Sequence, residues 1–338
     1  MTNSIIISQS HNPWHNLALE EYLFDHLENN SRILYLWQND HTVVIGKSQN
    51  SWKECRVSQL EADGGYLARR TSGGGAVYHD LGNLCYTFMA SSDLYSKEEY
   101  LTIILSALES FGIKAGFTGR NDISLDDGRK FSGNAFRFVK DKGLMHGTLL
   151  VNTDFEKMSK YLSVSKAKME AKGVSSVRSR TVNLKEINPD IAISGLSEQI
   201  KKAFQGKYGY CNSFTEYDII RDDSGEELDN IRRKHASWEW RLGLSPAFDV
   251  SFEKRFSWGG VDLHFNVRGG KVDAVQCFTD SMEPDLGYII QKELEGIILS
   301  DESIRDCVRF ISNHVGDSNI IDCTQLYTDL LSWFLQIF

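Results

Sequence analysis

Apolar and polar positions along this chain switch repeatedly between a helical and a strand period. Asn12-Pro13 joins a helix-capping side chain to a proline suited to a first turn, and Trp14, Leu17, Ala18 and Tyr22 then recur at helical spacing. The apolar runs Ile33–Trp37 and Thr42–Ile45, separated by the polar stretch Gln38-Asn39-Asp40, predict a β-hairpin. A short helix over Lys53–Ala62 leads to a strand at Tyr66–Arg70, and a strand pair follows across Ala76–Tyr78 and Leu84–Phe88. Residues 98–110 predict an amphipathic helix, with Tyr100, Ile103, Ile104, Ala107, Leu108 and Phe111 on one side. Strands are expected at Asp122–Leu125, Lys130–Val139 and Leu144–Val151, a helix at 154–172, an irregular basic stretch at 173–185, and helices at Leu196–Phe204 and Glu226–His235.

The texture changes after Leu242-Gly243-Leu244-Ser245-Pro246. Three alternating strands follow, Phe248–Phe256, Val261–Val267 and Val272–Phe278, punctuated by Gly259-Gly260 and Gly269-Gly270 where tight turns favour positive φ. Beyond Pro284 the pattern is helical to the end. The boundary therefore falls near 245, with a large domain over 1–245 and a small one over 246–338. No internal repeat is visible.

Length agrees with that division, since 338 residues suit two domains of about 150 each. A net charge of −9 argues against a nucleic-acid partner. The charge is uneven: residues 151–185 carry +5 and residues 186–338 carry −11. A basic run of this kind is ordinarily a solvated face. None of the six cysteines forms a CxxC pair, which suits buried thiols in a reducing compartment. The opening Met-Thr-Asn-Ser-Ile-Ile-Ile is not a basic-then-apolar leader, and no apolar run reaches the ~18 residues that span a bilayer. The expectation is a cytoplasmic protein with no membrane partner, and nothing demands more than a monomer.

Candidate chemistry concentrates in four segments. Gly46-Lys47-Ser48 is not the end of a phosphate-binding P-loop, because His41 stands where that loop needs its first glycine. Neither GxGxxG nor HExxH occurs. In Arg69-Arg70-Thr71-Ser72-Gly73-Gly74-Gly75-Ala76-Val77-Tyr78-His79-Asp80, three glycines free the backbone to approach phosphate oxygens, and the two arginines before them can supply charge-assisted hydrogen bonds to those oxygens; the alternative is a flexible hairpin loop. In Asn121-Asp122 and Lys130-Phe131-Ser132-Gly133-Asn134-Ala135, Asp122 offers a hard carboxylate for Mg²⁺ and Lys130 a compact mobile charge; a turn residue and a strand-edge lysine are the alternatives. His146-Gly147-Thr148 sets polar groups into an apolar strand, as a pocket wall or as a satisfied core histidine. Lys166, Lys168, Lys172, Arg178 and Arg180 form the basic stretch, which could close on an anion. Phosphate binding without a P-loop, beside an apolar pocket, suits activation of a carboxylic acid by a nucleotide.

These motifs resemble the lipoate–protein ligase A family. The resemblance is carried by Trp37-Gln38-Asn39, Val43–Asn50, the run from Arg69 to Asn83, Gly119–Asp122, Lys130–Ala135, His146-Gly147-Thr148 and Lys172–Arg180, and it continues through Ser237–Trp240 and Phe256–Gly260. It implies an α+β fold whose large domain has a mixed β-sheet like those of biotinyl ligases and class II aminoacyl-tRNA synthetases, with a small α/β accessory domain behind it. It implies lipoate and ATP with Mg²⁺ as reactants, lipoyl-AMP as intermediate, and a lysine of an apo acceptor domain as final acceptor. Those acceptors would be 2-oxoacid dehydrogenase acyltransferase subunits and the glycine-cleavage H protein. It implies Lys130 as the central catalytic residue, and Arg70, Ser72, Gly73, Gly74 and the Gly75–Tyr78 backbone around nucleotide and carboxylate. Asp122 would anchor Mg²⁺ with Asn121. Leu17, Val44, Val77, His79, Ala135 and His146 would line the lipoyl tunnel, with Ser132, Gly147 and Thr148 beside them, and Lys172 and Arg178 would close over the adenylate. A transferase of the same fold would need a cysteine beyond the His-Gly strand, and none lies between Cys85 and Cys211.

Overall fold

The computed structural model describes residues 1–118, 121–162, 181–215, 225–243, 250–268, 271–315 and 321–337, leaving aside the side chains at 52 and 53. The chain forms two compact units. The first comprises Met1–Val44, Cys55–Ala68 and Val77–Ser237, and the second Ile45–Glu54, Arg69–Ala76 and Trp238–Phe338.

The first unit is built on an eight-stranded mixed sheet. Its strands are β1 (Thr2–Ile7), β2 (Ser31–Trp37), β6 (Asn83–Ser91), β7 (Ala115–Thr118), β8 (Asp122–Leu125), β9 (Lys130–Val139), β10 (Lys142–Leu150) and β11 (Asn212–Thr215), in the order β11-β1-β2-β6-β10-β9-β8-β7. β1 runs parallel to β2 and β11, whereas β2–β6, β6–β10, β10–β9 and β9–β8 are antiparallel. A second sheet takes β3 (Thr42–Ile45), β4 (Tyr66–Arg69) and β5 (Val77–His79) in the order β4-β3-β5.

Two strand pairings expected from local sequence are therefore wrong. β2 and β3 do not form a hairpin: both edges of β2 are occupied, by β1 and β6, and β3 pairs with β5. His41, between the two strands, turns the chain with a positive φ of 43°. Likewise β5 and β6 do not pair with each other, since β6 lies between β2 and β10. Adjacent apolar runs signal strands but not partners, and strands buried on both faces lose the alternation that would orient them. All nine residues of β6 are buried. The Lys53–Ala62 helix is divided into Ser51–Glu54 and Val57–Ala62, with Cys55 bridging to Leu162. The 154–172 helix is seen over Phe155–Tyr161, and residues 163–180 lie outside the described residues.

Helices cover both faces of the large sheet. Pro13–Asp25 is capped by Asn12, whose side chain accepts from the Trp14 and His15 amides at 3.0 and 3.2 Å. Its Leu17, Ala18 and Phe24 share an apolar core with Tyr35, Trp37, Cys85, Met89 and Leu144. On the other face Phe88 stacks on Tyr100 of the helix Lys97–Glu109 and lies 6.1 Å from Phe204 of the helix Ile193–Tyr208.

The C-terminal part of the second unit follows the expected meander. β12 (Val250–Phe256), β13 (Gly259–Arg268) and β14 (Lys271–Thr279) form an antiparallel sheet. Val261, Leu263 and Phe265 join the helices Leu286–Leu294, Asp301–Val315 and Cys323–Ile337 in one core. Together the two units make an α+β protein.

A titrating tie fastens the first helix to the helix Gly225–Ala236. The Glu21 carboxylate lies 2.7 Å from His235 Nε2 and 2.5 Å from Lys234 Nζ. Burial pushes its carboxyl up, but the bonds and charges of His235 and Lys234 outweigh burial and hold it at about 2, below the ordinary 4.5. A depressed carboxylate stabilises the fold above pH 4.5, and that stability is lost as pH falls towards 2. Glu21→Gln should therefore lower stability at neutral pH by about 2 kcal/mol, with the gap from the parent shrinking at pH 3. Urea midpoints at the two pH values check this; an equal gap at both would remove the charge as its source.

Candidate active site

In the first unit, β10 brings His146 beside the first helix. His146 Nδ1 lies 2.9 Å from Glu20 Oε1, which also accepts from Thr87 Oγ1 of β6 at 2.6 Å. Thr87 Oγ1 in turn accepts from Trp37 Nε1 at 3.0 Å. Thr87 and Ala135 flank His146 across the sheet, so the three share one face. Burial raises the Glu20 carboxyl, but the charge and hydrogen bond of His146, with Thr87 and the charge of His235, pull it below its ordinary range. His146 is thus satisfied by a carboxylate. Glu20 went unassigned in the sequence, although a glutamate on the stripe of Leu17 and Phe24 is a signal that a buried partner must exist.

Gly147 is small for a reason. A Cβ there would stand 2.4 Å from Tyr86 Oη and 2.5 Å from Asn134 Oδ1, which are bonded to each other at 2.6 Å. Ser132 is fully buried 3.5 Å from the same phenol, and Thr148 Oγ1 faces the Gly133 amide at 3.4 Å.

Lys130 and Asp122 come together at the β8–β9 pair. Lys130 Nζ lies 2.7 Å from Asp122 Oδ1, and both side chains remain about one-third exposed. Asp122 is paired with Gly133, over which the lysine folds: a Cβ at Gly133 would meet Nζ at 3.0 Å. The strand register shifts between Ile123 and Ser124, directly beside this pair. Val182 donates its amide to the Lys130 carbonyl, so the chain that follows 163–180 returns to the same residue. Asn121 is turned towards β9, its Nδ2 donating to the Asn134 carbonyl. Among the described residues no three His, Cys, Asp or Glu side chains converge on a metal position. One accessible carboxylate is nevertheless the donor set suited to Mg²⁺ that takes its remaining oxygens from substrate phosphates and water. Lys172 and Arg178 lie outside the described residues.

Leu17, Val44 and Val77 gather in the apolar core that also holds Trp37 and Cys85. His79 is buried at its edge, its ring 6.1 Å from that of Trp37. Cys85 is buried too, and burial together with the Glu20 charge pushes its thiol well above the ordinary range, the wrong direction for a nucleophile.

The Arg-Arg-Gly-Gly-Gly segment belongs to the second unit up to Ala76. Here the expectation that both arginines supply charge to phosphate oxygens needs correcting for Arg69. Arg69 is 1% exposed and spends its guanidinium on protein oxygens: Nε donates to the Trp240 carbonyl, Nη1 to the carbonyls of Gly46, Lys47 and Gln49, and Nη2 to Ser51 Oγ and the Arg241 carbonyl. Burial lowers its pKa to about 10, which still leaves it charged at neutral pH. Arg70 bends over its own loop, donating to Ser72 Oγ and to the Gly73 and Gly75 carbonyls.

The three glycines also divide their roles. A Cβ on Gly73 would sit 2.4 Å from the Ser281 carbonyl oxygen, and Gly74 has a φ of 89° and donates its amide to that same oxygen at 2.7 Å. A Cβ on Gly75 would meet nothing within 4 Å. Lys47 pairs with Asp285 and Ser48 Oγ donates to the Pro284 carbonyl, so Gly46-Lys47-Ser48 is a structural contact.

Residues 12–205 match the lipoyl protein ligase A/B catalytic domain, and residues 245–326 match the bacterial lipoate protein ligase C-terminus. The chain belongs to the lipoyl protein ligase family. Its fold is similar over 99% of both chains, at 31% identity and a TM-score of 0.84, to P. falciparum LipL1, solved in complex with lipoate. It is 27% identical to the bi-partite lipoate protein ligase of Thermoplasma acidophilum, covering 74% of this chain and all of that one at a TM-score of 0.64. A lipoate-protein ligase A bound with ATP is 25% identical, covering 72% of this chain and 100% of that one at a TM-score of 0.61. No helix among the described residues of the ligase is long and apolar enough to cross a membrane.

The glycine loop of the ligase gives a paired prediction. Gly73→Ala forces a Cβ into the Ser281–Met282 backbone and should cost about 1–3 kcal/mol, whereas Gly75→Ala should leave the melting temperature close to the parent's. Thermal unfolding of both variants checks it; equal losses would contradict the division of roles.

Proposed function

We propose that this chain is an ATP-dependent lipoate–protein ligase. Lipoate and ATP form lipoyl-AMP and pyrophosphate, and the lipoyl group then passes to the ε-amine of a lysine on an apo acceptor domain, with release of AMP. In the first step a carboxylate oxygen of lipoate attacks the α-phosphorus as pyrophosphate leaves. In the second the lysine amine attacks the acyl carbonyl, the acyl–phosphate bond breaks, and the amine proton is released. The observation that carries this reading is the Lys130–Asp122 pair at 2.7 Å, a mobile cation and a hard carboxylate side by side over Gly133. The lipoate and ATP found with relatives of this chain support the choice of reactants.

Bringing a carboxylate to a triphosphate joins like charges, so positioning and cationic stabilisation do most of the work. Lys130 holds the α-phosphate and acyl oxygens together. Asp122, with Asn121 beside it, would hold Mg²⁺, which neutralises phosphate charge when bound. Arg70 orders the Ser72–Gly75 loop so that the backbone of Gly75–Tyr78 can meet nucleotide and carboxylate. Leu17, Val44, Val77, His79, Ala135 and His146 line the acyl chain. Residues 1–245 act as the catalytic domain and 246–338 as the accessory domain of a monomeric enzyme. Acceptors are lipoyl domains of 2-oxoacid dehydrogenase acyltransferases and the glycine-cleavage H protein. The lipoyl domain studied with the archaeal relative supports that class of partner.

Purified protein with ATP, Mg²⁺, lipoate and an apo acceptor domain should add one lipoyl mass to the acceptor, read by intact mass spectrometry. No modification and no lipoate-dependent pyrophosphate release would sink the reading. Lys130→Ala should slow adenylation by about 10²-fold or more. Cys85→Ala should retain activity; its loss with an intact fold would support a thiol route instead.

A further inference from the structure

A chain of buried amides ends on His79. Asn16 is its fixed point: Nδ2 donates to the carbonyls of Ser10 and Gln38 at 3.0 and 2.7 Å and to Asn39 Oδ1 at 3.0 Å, while Oδ1 accepts from Ser8 Oγ at 2.7 Å. Reversing this amide would press its oxygen against two backbone carbonyls, so its orientation is determined by acceptors that cannot change role. Asn39 inherits that orientation. Its Oδ1 takes the Asn16 hydrogen, so its Nδ2 is the group facing His79 Nδ1, at 3.2 Å. Asn16 and Asn39 are fully buried, which makes an unpaired end costly and the relay exclusive.

The imidazole therefore has no choice of tautomer. Nδ1 must accept the Asn39 hydrogen, and the proton must sit on Nε2. The Cys85 thiol, 3.6 Å from the same nitrogen, can only add a weak donor in the same sense. Among the described residues, Glu20 is committed to His146 and Thr87, and Asp80 to the amides of Gly82 and Asp154.

We propose that Asn39 is a positioning residue of the acyl-binding site, whose amide holds His79 as a neutral imidazole protonated at Nε2, so that the ring meets the acyl substrate as a hydrogen-bond donor. This deepens the ligase reading and rests on it. Val77, two residues before His79, and Trp37, two before Asn39, both belong to the apolar cluster assigned to the acyl chain. A neutral donor can serve a carboxylic acid there without adding a second counter-charge to the one that Lys130 supplies.

The test uses the full-length protein labelled with ¹⁵N. Long-range ¹H–¹⁵N spectra at pH 7 should show the His79 ring, identified by its absence in His79→Gln, in the Nε2–H form. In Asn39→Asp a carboxylate replaces the donor, so His79 should move to a form protonated at Nδ1. That variant should raise the KM for lipoate by about tenfold, the worth of one hydrogen bond, and make it pH-dependent, while kcat and the KM for ATP stay near the parent's. A parent His79 protonated at Nδ1 would overturn the proposal without any variant, even if Asn39→Asp failed to fold. So would an Asn39→Asp protein whose tautomer changes while its lipoate KM and pH profile do not. A parent with the Nε2–H spectrum but no ligase activity would overturn the ligase reading and the substrate role of His79 with it. A ligase-active parent with the other tautomer would overturn this proposal alone.

Discussion

The first unit depends on burying the polar side of one helix. Pro13–Asp25 carries Asn16 and Glu20 buried among its apolar residues and Glu21 half-buried at their edge, and each needs a polar partner. Each finds a different one. Asn16 binds the 38–39 connection, Glu20 binds β6 and β10 through Thr87 and His146, and Glu21 binds the helix Gly225–Ala236. Apolar packing alone would leave this helix free to slide along the sheet, because burial has no direction. Three directional contacts remove that freedom, and the one made by Glu20 reaches His146 on β10, a candidate substrate-binding residue.

The second unit solves a similar problem with a cation. Arg69 sits in a cage of carbonyls and one hydroxyl, and its planar fork reaches both the 46–51 stretch and the helix Trp238–Arg241. A lysine could not make this set of contacts, since it has a single nitrogen where the cage needs three. The charge that looked available for phosphate is consumed in holding the backbone. The Trp240 indole returns a hydrogen bond to the Arg69 carbonyl at 2.9 Å, so side chain and main chain of the same residue face the same helix. The neighbouring loop repeats the theme, with Arg70 bent over the glycines that it helps to shape.

Much of the candidate site was legible because the chemistry proposed for it needs unusual residues in short order. Lys130, Ser132 and Gly133 stand within four positions of one another, and the structure sets the lysine over that glycine beside Asp122. Glu20, Thr87, Asn16 and Asn39 were not legible as a group, because each is ordinary in its own segment and becomes notable only when burial removes water. The errors about strand pairing have the same origin. Val43 and Val44 announce a strand, but whether it pairs with β2 or with β5 depends on Tyr78 and Val77, far along the chain.

By itself the sequence determined where most helices and strands lie, the change of texture near residue 245, and the family to which the chain belongs. Those properties are written in local periods, caps and contiguous motifs. The tertiary structure decided which strands pair, that Arg69 spends its guanidinium on protein oxygens, and how the amides of Asn16 and Asn39 are turned towards His79. Hydrogen bonding under burial is the physical reason. In water every donor and acceptor is satisfied wherever the chain goes, and only a dry interior makes one arrangement of partners exclusive.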